Sequence, residues 1–178
     1  MENMESKKKS LVAFFSRADE NYAVGYIEKG NTHIVAELIA AETGADLFRI
    51  ETEKSYPADY NQCIEVAKRE KSANARPAIR GDIRVEDYGV IYLGYPNWWG
   101  EMPMAVYTFI EKHDWKGKTV IPFCTHEGSG LSGTEHRVQS ACEGAKVLKG
   151  LAVRGATAQN EPDTAHKAVM SWLKNTNL

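Results

Sequence analysis

Apolar residues come in short runs separated by longer amphipathic stretches. Residues 11–16 (LVAFFS), 89–96 (GVIYLGYP) and 119–125 (TVIPFCT) alternate too little for strands with one wet face. They predict strands buried on both faces, as in a parallel sheet. Residues 45–51 (ADLFRIE) add a second strand in chain order, and 145–155 (AKVLKGLAVRG), the least regular, a fifth. Between them the period lengthens to that of a helix. NTHIVAELIAAETG puts Ile34, Val35, Leu38 and Ile39 on one stripe and ends at Gly44, a C-terminal cap. Further helices are predicted over ADYNQCIEVAKREKSANA, MPMAVYTFIEKH with Pro103 at its start, GTEHRVQSACEGA, and EPDTAHKAVMSWLKN with Val169, Trp172 and Leu173 docking. The order βαβαβαβαβα predicts an α/β fold, a three-layer doubly wound sandwich on a five-stranded parallel sheet.

A chain of 178 residues suits a single domain, 1–178, with 1–9 as a flexible polar N-terminus. With a net charge of −2, no basic excess points to nucleic acid. Cys63, Cys124 and Cys142 are odd in number and form no C-x-x-C pair. Buried reduced thiols are expected, and neither a disulfide framework nor a metal. No apolar run reaches the ~20 residues of a membrane span, and the polar start MENMESKKKS lacks a secretory apolar core. The expected location is the cytoplasm.

Three loops follow the first, third and fourth strands, where open parallel sheets bind ligands. The first runs from Ser16 to Thr32. Ser16, Asn31 and Thr32 can bond phosphate oxygens at a helix N-terminus, and Arg17 can add charge. Asn31 or Thr32 also reads as a plain helix cap. The segment 17–30 between them is long for a strand–helix connection. In the second loop, Pro96 stiffens the exit from the strand and Asn97 can donate and accept. Trp98 and Trp99 offer flat faces and Gly100 lets backbone approach closely. Either indole could equally cover the core edge. In the third, Thr125, Gly128, Ser129 and Gly130 can present polar groups to a ring edge, with His126 and Glu127 beside them. The third loop also spells G-x-G-x-x-G at Gly128, Gly130 and Gly133, but after the fourth strand and without the acidic residue of a dinucleotide site.

Taken together, GNT, YPADY, GYPNWWG and GSG on five alternating strands resemble the flavodoxin superfamily, in its short-chain bacterial branch. The resemblance spans residue 11 to about residue 172 and implies a flavodoxin-like sheet of order 2-1-3-4-5. It implies non-covalent FMN, with Ser16, Arg17, Asn31 and Thr32 at the phosphate. Pro96, Asn97, Trp98, Trp99 and Gly100 would line the ring, and Thr125, Gly128, Ser129 and Gly130 its other edge. This chain departs from the family in three ways, the first being a fourth-strand loop without the tyrosine that often stacks on the second face of the ring. The compact S-x-T-G-N-T run is opened by the 17–30 insertion, which could fold as a flap or reach the ring with Tyr22 or Tyr26. The charge is also close to neutral where shuttling flavodoxins are strongly acidic.

The resemblance implies an electron-transfer protein whose partner is a redox protein or a small electron donor or acceptor. Two alternatives stay open: an FMN-dependent NAD(P)H:quinone-type oxidoreductase, and a flavin-free interaction module on the same fold. No residue is assigned a catalytic role, because the cofactor would carry the chemistry.

Overall fold

The computed structural model describes residues 9–176 and 178. Eight of the nine positions expected to form a flexible N-terminus lie outside the described residues; the ninth, Lys9, opens the first strand. Along the chain run β1 (Lys9–Phe15), a hairpin of β2 (Asp19–Asn21) and β3 (Gly25–Ile27), α1 (Asn31–Thr43), β4 (Asp46–Ile50) and α2 (Tyr60–Ser72). Then follow β5 (Tyr88–Pro96), α3 (Met104–Glu111), β6 (Thr119–His126), α4 (Thr134–Ala141), β7 (Lys146–Val147), β8 (Leu151–Arg154), α5 (Gly155–Asn160) and α6 (Pro162–Thr176).

The main sheet is parallel, in the order β4-β1-β5-β6-β7, with β8 also paired to β6. With β7 and β8 sharing the fifth position, this is the 2-1-3-4-5 order expected. Successive residues of β1 point to opposite faces. Leu11, Ala13 and Phe15 join a core with Ala105, Val106, Phe109 and Ile110 of α3 and Val138 of α4. Val12 and Phe14 join a second core with Val35, Ala36 and Ile39 of α1 and Ala165, Val169 and Trp172 of α6. Each fully buried aromatic or aliphatic side chain contributes about 1.5–3 kcal/mol, so the two cores fix the sheet between its helical layers.

The helices follow local signals. Asp59 caps α2, its carboxylate accepting from the Gln62 N–H at 2.8 Å, and Pro103 precedes α3. Gly44 ends α1 with φ 71° and returns its N–H to the Ala40 carbonyl. The buried stripe of α1 is Thr32, Val35, Ala36 and Ile39, whereas Ile34 and Leu38 are only partly covered. Leu173 likewise packs partly buried beside Trp172.

Two features differ from the sequence pattern. The fifth strand is broken into β7 and β8, and Pro122 explains the gap. The Leu148 N–H donates to the Val120 carbonyl, so the even positions of β6 face this neighbour. Pro122 falls on the same side and has no N–H to give. Opposite it the chain passes through Gly150, where a Cβ would sit 2.9 Å from the Pro122 carbonyl oxygen. The second feature is the insertion. It folds as the β2–β3 hairpin, pairing Asp19 with Ile27 and Asn21 with Gly25. Its two ends stay adjacent, because a Cβ at Gly30 would overlap the Ser16 hydroxyl and lie 2.7 Å from the Arg17 carbonyl oxygen.

Candidate functional site

A cavity of about 390 Å³ opens at the carboxyl ends of β1, β5 and β6. This size falls in the range of small-molecule sites. Of the residues singled out in the sequence, Arg17, Asn31, Pro96, Asn97, Trp98, Trp99, Thr125 and Ser129 line it. Ser16 and Thr32 are buried beside it, and Gly100, Gly128 and Gly130 stand in its loops without lining it.

The first loop is drawn tight around the start of α1. Ser16 Oγ accepts the His33 N–H at 3.0 Å, meeting one of the N–H groups that a helix start leaves without an internal acceptor. Thr32 Oγ1 and Thr125 Oγ1 are hydrogen-bonded at 2.7 Å, which ties α1 to the end of β6. Asn31 Oδ1 accepts from Gln159 of α5 at 2.9 Å.

Arg17 has a role that charge alone did not suggest. Its terminal nitrogens donate to the carbonyls of Glu20, Pro57 and Ala58, riveting the hairpin to the segment ahead of α2. Glu20 reinforces this by accepting the Tyr60 N–H at 3.0 Å. Arg17 Nε is buried without a hydrogen-bond partner, in a residue only 9% exposed. It leaves a donor and a positive charge at the cavity. Burial pushes the Cys63 thiol upward and the nearby Arg17 opposes that shift. All three cysteines are free and buried.

The aromatic loop separates its two indoles. Trp98 turns inward, edge-on to Phe15 at 5.2 Å and to Tyr56 at 5.1 Å between ring centroids. Trp99 turns outward and is 49% exposed. Its Nε1–H donates to the Ile64 carbonyl at 3.3 Å, and Lys68 Nζ stands 5.6 Å from its ring centroid. Trp98 and Glu101 exchange two backbone hydrogen bonds around Trp99 and Gly100, whose φ values are 58° and 73°. Such a two-residue turn favours Asn-Gly. A tryptophan there is strained, a pattern that concentrates at functional sites. Asn97 fastens this loop to the third one. Its Nδ2 donates to the Gly130 carbonyl and Ser132 Oγ, both at 2.8 Å, and its Oδ1 accepts the Gly100 N–H.

His126 and Glu127 also line the cavity. His126 Nδ1 accepts the Gly128 N–H at 2.8 Å, and burial pulls its pKa below the ordinary value. Glu127 Oε1 accepts the Ala156 N–H at the start of α5. Its Oε2 has no hydrogen-bond partner, since Arg154 Nε, 3.8 Å away, is at ion-pair range only. A Cβ at Gly155 would overlap Asn31 Nδ2 and lie 2.6 Å from Glu127 Oε1, so this carboxylate stands beside Asn31.

Sequence reasoning did not find Asn21, Tyr60, Cys63, Ile64 and Ala67, which complete the lining. The last four form an i, i+3, i+4, i+7 row on α2, and such a row reads as an ordinary core stripe. Tyr22, at the hairpin turn, lines the cavity and meets Tyr60 with centroids 6.1 Å apart; Tyr26 does not line it. Among the described residues, no cluster of His, Cys, Asp or Glu could hold a metal, and no helix is long and apolar enough to cross a membrane.

Comparison with known proteins agrees with this architecture. A candidate flavoprotein of Bacteroides uniformis ATCC 8492 is 31% identical, with 93% of this chain and 97% of that one covered at a TM-score of 0.74. A candidate flavoprotein of Bacteroides eggerthii DSM 20697 is 29% identical, with 96% and 98% covered at 0.76. A Lactobacillus acidophilus NCFM flavoprotein in complex with FMN shares the fold at 22% identity, with 86% and 97% covered at 0.63. No curated protein matches significantly. The family described as Flavodoxin matches residues 9–175, nearly the whole described chain, and the protein belongs to that family.

Proposed function

We propose that the chain binds FMN non-covalently in this cavity and serves in electron transfer. The observation that carries the reading is one cavity at the strand ends that joins the start of α1 to a strained, outward-turned tryptophan. The donor set fits a flavin phosphate and ring. Asn31 and the first turn of α1 offer N–H donors, and the unpartnered Arg17 Nε adds positive charge. Trp98 and Trp99 supply ring faces, and Asn97, Thr125 and Ser129 supply polar contacts. Family membership and the FMN held by a protein of the same fold support the same cofactor.

Bound flavin supplies one- and two-electron redox chemistry. The chain binds it, orients it and sets its surroundings. Trp98, packed between Phe15 and Tyr56, gives the cavity a rigid apolar wall that keeps water off one side. Asn97 holds the second and third loops at a fixed separation. Reductive titration of the FMN-loaded protein tests the electron-transfer reading: uptake of electrons one at a time supports it, and passage in a single two-electron stage contradicts it.

A second reading, an FMN-dependent NAD(P)H:quinone-type oxidoreductase, is favoured by the exposed aromatic rim of Tyr22 and Trp99, 63% and 49% exposed. Rapid bleaching of the flavin by NADH or NADPH supports it, and inertness to both with quinones present removes it.

A further inference from the structure

Apart from Trp99 at its edge, one wall of the cavity is not used by the proposed FMN contacts. Tyr60, Cys63, Ile64 and Ala67 of α2 form it, and Tyr22 continues it across the hairpin turn. Arg17 and Glu20 hold hairpin and helix together, so the wall is built rather than incidental. Trp99 closes its outer end. Three rings therefore border a strip that is otherwise apolar.

The charge at the outer end of this strip, beside Trp99, is positive. Lys68 and Lys71 stand four residues beyond Ile64 and Ala67 respectively and continue the row, at the end of α2 where Trp99 docks. Lys71 Nζ gives one of its three donors to the Trp99 carbonyl at 2.6 Å, and Lys68 stands over the indole. Neither lysine has a carboxylate within ion-pair distance among the described residues. Glu65 lies off the row, and Glu70 is turned toward Tyr56.

We infer that the α2 side of the cavity is a second-ligand site for a planar aromatic anion, with Tyr22, Tyr60 and Trp99 facing its ring and Lys68 and Lys71 its charged substituent. The inference rests on the reading that FMN occupies the β1, β5 and β6 side. It turns a cavity assigned to a cofactor into one that also selects what meets the cofactor. Apolar faces hold any flat ring, while the two lysines choose among rings by charge.

The test uses protein saturated with FMN, titrated with anthraquinone-2-sulfonate and, separately, with an anthraquinone of the same ring size bearing a quaternary ammonium group. Binding is read from tyrosine and tryptophan fluorescence, and any release of FMN is followed alongside by its free-flavin emission. The sulfonate is expected to bind about tenfold more tightly than the cation at low salt, and the gap to narrow as salt screens it. Changing Lys68→Gln and Lys71→Gln together erases the preference, and Tyr60→Ala weakens both ligands about tenfold, while FMN affinity stays within twofold in each variant. Equal affinity for the two anthraquinones overturns the inference. So does displacement of FMN by the sulfonate, or a large loss of FMN affinity in Tyr60→Ala, because the wall then belongs to the flavin itself. A chain that takes up no FMN overturns the proposed function along with it, and shows this by the missing visible spectrum before any anthraquinone is added.

Discussion

The Ser16 hydroxyl occupies the space where a side chain on Gly30 would begin, although Ser16 precedes the insertion and Gly30 is its last residue. The hairpin is thus looped out of a junction that stays closed. The Ser16 hydroxyl caps α1 through the His33 N–H as though the insertion were absent. Local order near the proposed phosphate contacts depends on this approach.

Gly30→Ala tests that junction. Gly30 has φ −62°, so alanine meets no backbone strain and the effect is steric alone. The added methyl must displace Ser16 and the Arg17 carbonyl. Overpacking of this kind costs about 1–3 kcal/mol. Urea denaturation should show that loss, and calorimetry a parallel loss of FMN affinity.

The two indoles should separate by function. Trp98→Ala removes a ring packed between Phe15 and Tyr56 and should destabilise the FMN-free protein by about 3 kcal/mol. Trp99→Asn removes a half-exposed ring but relieves the left-handed turn, so its stability cost should stay under about 1 kcal/mol. FMN binding should nevertheless weaken in Trp99→Asn by about 1–3 kcal/mol, the scale of a stacked ring. Denaturation and FMN titration of both variants give the four numbers.

Glu127 places an acid at the end of the cavity where a phosphate is expected. Glu127→Gln keeps an oxygen to accept the Ala156 N–H and removes the charge. FMN should bind more tightly by about 1 kcal/mol, roughly fivefold, with riboflavin unchanged. Equal gains for both ligands would place the phosphate elsewhere.

His126 gives the third loop a pH dependence. Nδ1 must be unprotonated to accept the Gly128 N–H. Burial lowers the folded-state pKa; Glu127 opposes this shift and Arg154 adds to it. The neutral form is therefore favoured by folding. Its contribution is complete above the ordinary value of 6.5 and is lost as pH falls through the lower, folded value. The urea midpoint of the natural protein should drop relative to that of His126→Gln as pH is lowered below about 6.5, the ordinary histidine value.

The strands that fix the site were plain in the sequence because β1, β5 and β6 are continuous apolar runs. The alternation of strands and helices pointed to a doubly wound parallel sheet, while the order of its strands came only from the resemblance to flavodoxins. The break between β7 and β8 was not legible, since Pro122 acts on a neighbouring strand across the sheet. The α2 wall was hidden for a different reason: Cys63 and Ala67 are buried against the rest of the protein while also lining a cavity, and one apolar row serves both. Arg17 was visible as a charge near the site, but its commitment to three carbonyls depends on how the hairpin folds back.

The most direct test is a visible absorption spectrum of the purified protein, followed by mass analysis of what heat releases and by titration of the stripped chain with FMN. The account predicts a flavin spectrum, release of intact FMN and its stoichiometric rebinding with quenched tryptophan fluorescence. A colourless protein that stays colourless in FMN, with unchanged fluorescence, contradicts it and leaves the fold serving a flavin-free role.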